Sequence, residues 1–363
     1  MEPNMCEKGH SVKIAALPGD GIGKEVLPAA VQVLDSVATR EQVQISWTWF
    51  DWGCDYYKIH GRMMPEDGLA ILRQFDAIFL GAIGDPEVPD DISLWNLLMP
   101  IRRDFDLFVN LRPVRSFDGL PPRVRLDTGA PVDFLIIREN TEGEYSESGG
   151  RSFRGTEREI AIQNDIFSRI GIERITRFAF DEARKRHGRV VSATKSNGII
   201  HSMPFWDEVV AEVAAEYPEV QASKRLIDAL AADLVMYPES FDVIVASNLY
   251  GDILSDLGAA IVGSLGIAAS ANISLRDDVP SMFEPVHGSA PDIAGKGIAN
   301  PVAAVWSGAL MLEHLGHSRT ANRVMDAIEH TLRNPATRTA DLGGSSTTEG
   351  VCKALIDYIM SAA

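Results

Sequence analysis

The sequence predicts an α/β protein, and three observations carry that prediction. Strand and helix signals alternate from Val12 onward, the pattern of layered α/β domains. The run Phe241-Asp-Val-Ile-Val-Ala-Ser247 is apolar and β-branched, as a strand buried in a sheet requires. A helix follows it directly and sets Asp252 and Asp256, four residues apart, on one face. The 363 residues allow two lobes or one large domain with ample core.

Taken in order, residues 12–17 read as the first strand and 23–38 as a helix. Residues 45–50, 65–73 and 77–81 continue the alternation. Residues 85–100, with Pro86, Pro89, Trp95 and Pro100, read as a loop leading into a short helix. Residues 104–112 place Phe105, Leu107, Val109 and Leu111 on one face, which predicts a strand. Residues 133–138 read as another strand, and the polar, Gly- and Ser-rich residues 146–160 as a projecting arm. Asp165-Ile-Phe-Ser168 offers a cap for a helix running to about residue 186. Residues 190–194 then read as a strand and 203–217 as an amphipathic helix. A loop-rich stretch, 272–300, precedes a helix from about Pro301. There is no internal repeat or low-complexity block.

The glycines of Gly19-Asp-Gly21-Ile-Gly23 invite comparison with the dinucleotide fingerprint. Their third member arrives one position early, and no strand ends in an acid about twenty residues on. The segment reads as a tight turn outside a Rossmann fold.

Composition narrows the function. A hydrophobic content of 45% is ordinary for a globular chain. No apolar run reaches the roughly 18 residues of a membrane span. The first ten residues lack a basic end followed by an apolar stretch, and read as a frayed tail rather than a signal peptide. Cys6, Cys54 and Cys352 have neither a disulfide framework nor metal-site spacing, which favours a reducing cytoplasm. A formal charge of −17 argues against nucleic acid and anionic membranes as partners. Against that background Arg102, Arg103, Arg112 and Arg115 stand out. Such a cluster suits a carboxylate or phosphate ligand, or else forms surface salt bridges. Asp252 and Asp256 offer hard oxygens at a strand's carboxyl end, where open α/β sheets bind ligands, and suit Mg²⁺ or Mn²⁺. The same spacing fits an acid offsetting a helix dipole beside a solvated acid.

Residues 248–267 read Asn-Leu-Tyr-Gly-Asp-Ile-Leu-Ser-Asp-Leu-Gly through Gly263-Ser-Leu-Gly-Ile267. This resembles the signature of the decarboxylating β-hydroxyacid dehydrogenases, which include isocitrate, isopropylmalate, D-malate and tartrate dehydrogenases. The match mixes Gly, Asp, Asn and apolar positions, and the resemblance extends over the chain after its first ten residues. It implies the non-Rossmann, isopropylmalate dehydrogenase-like fold of two interleaved α/β lobes. Residues 1–107 with 263–363 would form a large cofactor-binding lobe. Residues 108–262 would form a small lobe with the dimer interface and the arm. A homodimer with shared active sites follows from the same resemblance.

Oxidising and decarboxylating a small dicarboxylic 2-hydroxy acid needs cations for the carboxylates and a base for the hydroxyl. It also needs a hydride acceptor, a divalent cation for the enolate and a proton for carbon. The resemblance assigns substrate binding to Arg102 of Ile-Arg-Arg, Arg112 of Asn-Leu-Arg-Pro and Arg138 of Ile-Arg-Glu-Asn. It assigns enolate protonation to Tyr145 and hydroxyl deprotonation to Lys195 of Ala-Thr-Lys-Ser-Asn. Asp228, Asp252 and Asp256 would hold Mn²⁺ or Mg²⁺, with Lys195 and Asp228 reaching in from the partner subunit. A monovalent cation such as K⁺ is a further candidate. His287, Gly288, Ser289, Ala290, Asp292, Ile293 and Asn300 match the family's adenosine-binding loop. Asp292 and Ile293 are what NAD-using members carry, since an acid there bonds ribose hydroxyls and repels a 2′-phosphate.

The resemblance places the side-group contact on Ser93-Leu-Trp95-Asn-Leu-Leu98-Met-Pro100. Leu98, four residues before Arg102, is as in isopropylmalate enzymes. Ser-Leu-Trp95 and Pro-Ile-Arg-Arg look more like the D-malate and tartrate enzymes. Trp95 either fills the side-group space, leaving room for hydrogen or hydroxyl, or packs in the core. The expectation is NAD- and divalent-metal-dependent oxidation of tartrate and D-malate: D-malate is decarboxylated to pyruvate and CO₂, while with tartrate some members of the family stop at oxidation and some decarboxylate. 3-Isopropylmalate dehydrogenase is the alternative. A silent regulatory subunit is disfavoured because all eight residues are present: three arginines, Tyr145, Lys195 and three aspartates.

Overall fold

The computed structural model describes residues 11–126 and 128–362. The frayed-tail reading of residues 1–10 lies outside the described residues. The strands are β1 (Val12–Gly19), β2 (Ile45–Trp49), β3 (Ala77–Ala82), β4 (Val109–Arg115), β5 (Asp133–Glu139) and β6 (Gly149–Ser152). They continue with β7 (Ile160–Gln163), β8 (Arg189–Thr194), β9 (Gln221–Leu226), β10 (Val243–Ala246), β11 (Ala269–Ile273) and β12 (Ser281–Pro285). Two compact units emerge. One comprises the chain up to Leu107 with Ser116–Pro121 and the chain from Val262; the other comprises Phe108–Arg115 and Pro122–Ile261.

In the first unit the strand order is β2-β1-β3-β12-β11. All neighbours are parallel except β11 with β12. Ile14 to Leu17 and Ile78 to Leu80 are fully buried. Such unbroken apolar runs are what parallel strands need when helices cover both faces. Each such Leu or Ile contributes about 1.5–3 kcal/mol on burial. The Gly23–Glu41 and Val302–His314 helices bury Val26, Leu27, Leu34, Val305 and Leu312. Strand β12 sits beside β3, although it enters from the last quarter of the chain and carries an antiparallel neighbour. That order is not a Rossmann order, as the glycine spacing indicated.

In the second unit the order is β4-β5-β10-β8-β9, with only the β4–β5 pair antiparallel. Every residue of β10 is buried. Ser168 caps the Arg169–Arg184 helix by accepting the Gly171 amide at 3.0 Å. That bond satisfies one of the amides a helix start leaves open. Strands β6 and β7 form an exposed antiparallel hairpin.

Two sequence expectations are corrected. The strand expected over 104–112 begins at Val109. Phe105 closes the Met99–Asp104 helix and Asp106 takes φ 49, so Phe105 and Leu107 are buried from a helix end and a turn. Residues 281–285 lie in the stretch expected to be loop-rich, yet form β12, fully buried. Among the described residues no helix is long and apolar enough to cross a membrane. Cys54 and Cys352 are buried free thiols, and burial pushes both up to about 12.

Candidate active site

Strand β10 delivers the chain into the Asn248–Val262 helix, whose second turn presents Asp252. Two arginines from antiparallel neighbours converge on that carboxylate. Arg112 of β4 donates through Nη1 to Asp252 Oδ1 at 3.0 Å and to Ser255 Oγ at 2.6 Å. Its Nε donates to Asn110 Oδ1 at 2.5 Å. Arg138 of β5 donates through Nη1 to the same Asp252 oxygen. Its Nε and Nη2 fork onto Asn248 Oδ1 at 3.1 and 2.7 Å. The Tyr145 hydroxyl donates to Asp252 Oδ2 at 3.0 Å, and its ring lies 5.6 Å from the Arg138 guanidinium carbon. Arg138 is 2% exposed, so its planar fork is fixed by partners rather than by water.

Asp256, one turn on, makes no hydrogen bond or ion pair among the described residues. Loss of solvation raises its carboxyl above the ordinary range; Arg112 and Arg138 oppose the shift and Asp252 adds to it. A hard divalent cation suits an all-oxygen pair in which one carboxylate is uncommitted. Among the described residues of this chain, however, no group of three or more His, Cys, Asp and Glu side chains is arranged for a metal. The predicted third ligand lies elsewhere. Lys195, just past β8, donates through Nζ to Asp228 Oδ1 at 2.8 Å. That bond, before other causes, holds Asp228 below the usual carboxylate range. Neither residue reaches Asp252 or Asp256 by a hydrogen bond or ion pair.

Arg102 belongs to the other unit. It is 6% exposed and donates through Nη2 to buried Glu284 Oε1 at 2.9 Å. Asn272 donates to the same oxygen at 2.8 Å. Nε of Arg102 makes no hydrogen bond, so a donor remains. Three of the four clustered arginines therefore divide between two kinds of partner. Arg102 and Arg112 each meet a carboxylate, and Arg103 lies 4.7 Å over the Trp95 ring. Trp95 and Leu98 sit on a π-helical turn, Leu94–Leu98, a geometry frequent at functional sites. Both are half-buried, and Leu98 packs against the core of its unit.

The predicted cofactor loop is braced by the first glycine turn. Ser289 O accepts the Ile22 amide at 2.8 Å, and a Cβ on Gly21 (φ +50) would fall 2.0 Å from it. Only glycine permits that approach. Glu25, in the first turn of the next helix, accepts the amides of Gly295 and Gly297. His287 has Nδ1 3.0 Å from Gly288 O and a buried Nε2 without a partner; burial lowers its basicity. Ala290 takes φ 39. Asn300 donates to Asp341 Oδ2 at 3.0 Å and accepts the Val302 amide. Gly288 and Asp292 are exposed, Ile293 is half-buried, and the Asp292 carboxylate makes no hydrogen bond or ion pair among the described residues.

Sequence reasoning missed the polar residues that hold the arginines: Asn110, Asn248, Ser255, Asn272 and Glu284. A signal was available for Glu284, because a buried arginine demands a carboxylate, but nothing in the sequence says which one.

The pattern of the isocitrate/isopropylmalate dehydrogenase family matches residues 13–359. A tartrate dehydrogenase/decarboxylase of Pseudomonas putida is 51% identical over 359 residues, covering 96% of this chain and 98% of that one. A decarboxylating D-malate dehydrogenase of Escherichia coli (strain K12) is 50% identical over 358 residues, covering 96% and 99%. The crystal structure of isocitrate dehydrogenase from Methylococcus capsulatus superposes with a TM-score of 0.88 at 35% identity, over 96% of this chain and 99% of that one.

Proposed function

The chain belongs to the isocitrate/isopropylmalate dehydrogenase family, and on that premise we propose that it oxidises and decarboxylates tartrate and D-malate. It is an NAD-dependent, divalent-metal-dependent enzyme, and D-malate leaves as pyruvate and CO₂. The single observation that carries the site is the convergence of Arg112, Arg138 and Tyr145 on Asp252. The isopropylmalate alternative is weaker, since relatives at 50–51% identity are named for tartrate and D-malate.

In this reading Arg102, Arg112 and Arg138 bind the substrate carboxylates, which suit planar forks. Trp95 and Leu98 limit the side group. Lys195 takes the hydroxyl proton. Tyr145 delivers a proton to carbon after CO₂ leaves, and its hydroxyl is already held as a donor by Asp252. Asp228, Asp252 and Asp256 hold Mn²⁺ or Mg²⁺. When bound, the cation polarises the substrate oxygens and stabilises negative charge, and NAD⁺ accepts the hydride. His287, Gly288, Ser289, Ala290, Asp292, Ile293 and Asn300 seat the adenosine, with Asp292 free to bond ribose hydroxyls. The enzyme works as a homodimer with shared sites, in a reducing compartment such as the cytoplasm, where Cys54 and Cys352 stay thiols. A monovalent cation such as K⁺ is a further cofactor to test.

One panel tests the reading: D-malate, both tartrates, isopropylmalate and isocitrate, each with Mn²⁺ and either NAD⁺ or NADP⁺. D-malate and tartrate with NAD⁺ are expected to give the highest kcat/KM. Fastest turnover of isopropylmalate overturns the substrate assignment, and equal use of NADP⁺ overturns the role of Asp292.

A further inference from the structure

The turn that carries Tyr145 is suspended between the starts of two helices. Glu142 accepts from the Ser168 amide and hydroxyl at 2.9 and 2.7 Å, at the head of the Arg169–Arg184 helix. Glu144 accepts from Ser247 Oγ at 2.7 Å and from the Leu249 amide at 3.0 Å, at the head of the Asn248–Val262 helix. A helix start leaves amides without internal partners and carries partial positive charge, so a carboxylate is held there by both effects. On the hairpin side, Gln163 donates to the carbonyls of Glu144 and Ser146, on either side of Tyr145, at 3.3 and 2.9 Å. Asn248 completes the frame. Its Nδ2 donates to Glu142 O at 3.0 Å while its Oδ1 receives Arg138.

We infer that Glu144 is a positioning residue for Tyr145. Its side chain ties the residue before the tyrosine to the helix that carries Asp252, three positions beyond Leu249. The tie fixes how far the phenol stands from the Asp252 carboxylate. Gln163 holds the backbone independently, so losing the Glu144 side chain costs aim rather than the fold of the turn. This inference rests on the proposal that Tyr145 acts in the reaction.

A double-mutant cycle tests it. Glu144→Ala is expected to lower kcat with D-malate about tenfold or more while KM for NAD⁺ stays within about twofold, the split of a group that acts after binding. Glu144→Gln keeps an oxygen for the Leu249 amide, and the Ser247 hydroxyl can turn to accept from its amide, so most of kcat is expected to return. In the Tyr145→Phe background Glu144→Ala is expected to cost less than about twofold more, because residues acting through one another are not additive. An equal loss in both backgrounds, or an unchanged kcat, overturns the positioning role. If Glu144→Ala does not fold, Ser247→Ala removes one of the two bonds and is carried through the same cycle. Wild type inert towards every hydroxy acid would sink the functional reading instead. Urea unfolding of the same four proteins then decides the tie, and strictly additive stabilities overturn it.

Discussion

Tyr145 and Asp252 are joined by a 3.0 Å hydrogen bond in which the phenol donates and the carboxylate accepts. The other Asp252 oxygen receives Arg112 and Arg138. One carboxylate thus sets the phenol's proton direction and is shared by two guanidinium groups, leaving the trio of charges net positive. Asp256 completes the pair of acids on that helix face.

Metal dependence is predicted from the proposed ligands Asp228, Asp252 and Asp256. Exhaustive chelation is expected to abolish turnover, and Mn²⁺ to restore it. Asp252→Asn removes one charge from the ligand set, so Mn²⁺ binding measured by calorimetry should weaken by about tenfold or more. Full turnover by chelated wild-type enzyme would remove the metal from the mechanism.

The Gly21–Ser289 approach makes a second prediction. Gly21→Ala puts a methyl group where Ser289 O stands, on backbone at φ +50. The cofactor loop must shift, so NADH affinity measured by fluorescence should fall while the hydroxy-acid arginines are untouched. Unchanged NADH affinity in a folded Gly21→Ala protein would separate the glycine turn from the cofactor site.

The placement of the candidate acids was legible in the sequence, and the groups packed around them were not. Spacing located Asp252 and Asp256, because side chains four apart share a helix face. Alternation misread residues 104–112, since Phe105 and Leu107 are apolar at period two but belong to a helix end and a turn. Ser-Met-Phe-Glu-Pro lacks β-branched residues, so β12 carries no strand signal; its burial comes from pairing with β3. Glu284 and Asn248 stand in the motifs read from the sequence, but their arginine-holding roles carried no signal there, because they come from partners 182 and 110 residues away.

Glu139 predicts a pH dependence of stability. It is fully buried with Arg174 Nη2 3.9 Å away, and its carboxylate accepts Thr141 and Glu142 amides and the Thr141 hydroxyl at 2.8–3.1 Å. Burial nonetheless pushes its carboxyl up to about 7 from 4.5. The folded state therefore holds this proton more tightly than the unfolded chain. The associated stability is full below about pH 4.5 and is lost as pH rises through about 7, a change on the order of 3 kcal/mol. Urea unfolding of wild type minus Glu139→Gln should show stability falling across that window. A pH-independent difference would place the proton elsewhere.

The site is expected to be divided between two chains. Lys195 bonds Asp228, and neither reaches the Asp252 cluster by a hydrogen bond or ion pair in the single chain. If they serve the partner's site, C₂ symmetry makes each subunit give to one site and receive at the other. Arg102→Gln and Lys195→Ala then lie on opposite sides of each site. Glutamine suits the first variant because its amide can still donate to buried Glu284, which alanine would strand at a cost of about 3–5 kcal/mol. Each homodimer is expected to be nearly inactive. After the two are unfolded and refolded together, random pairing makes half the dimers mixed. In a mixed dimer one site carries both lesions and the other carries neither, so about a quarter of wild-type activity should return. If both residues serve the site of their own chain, every site keeps one lesion and no activity reappears.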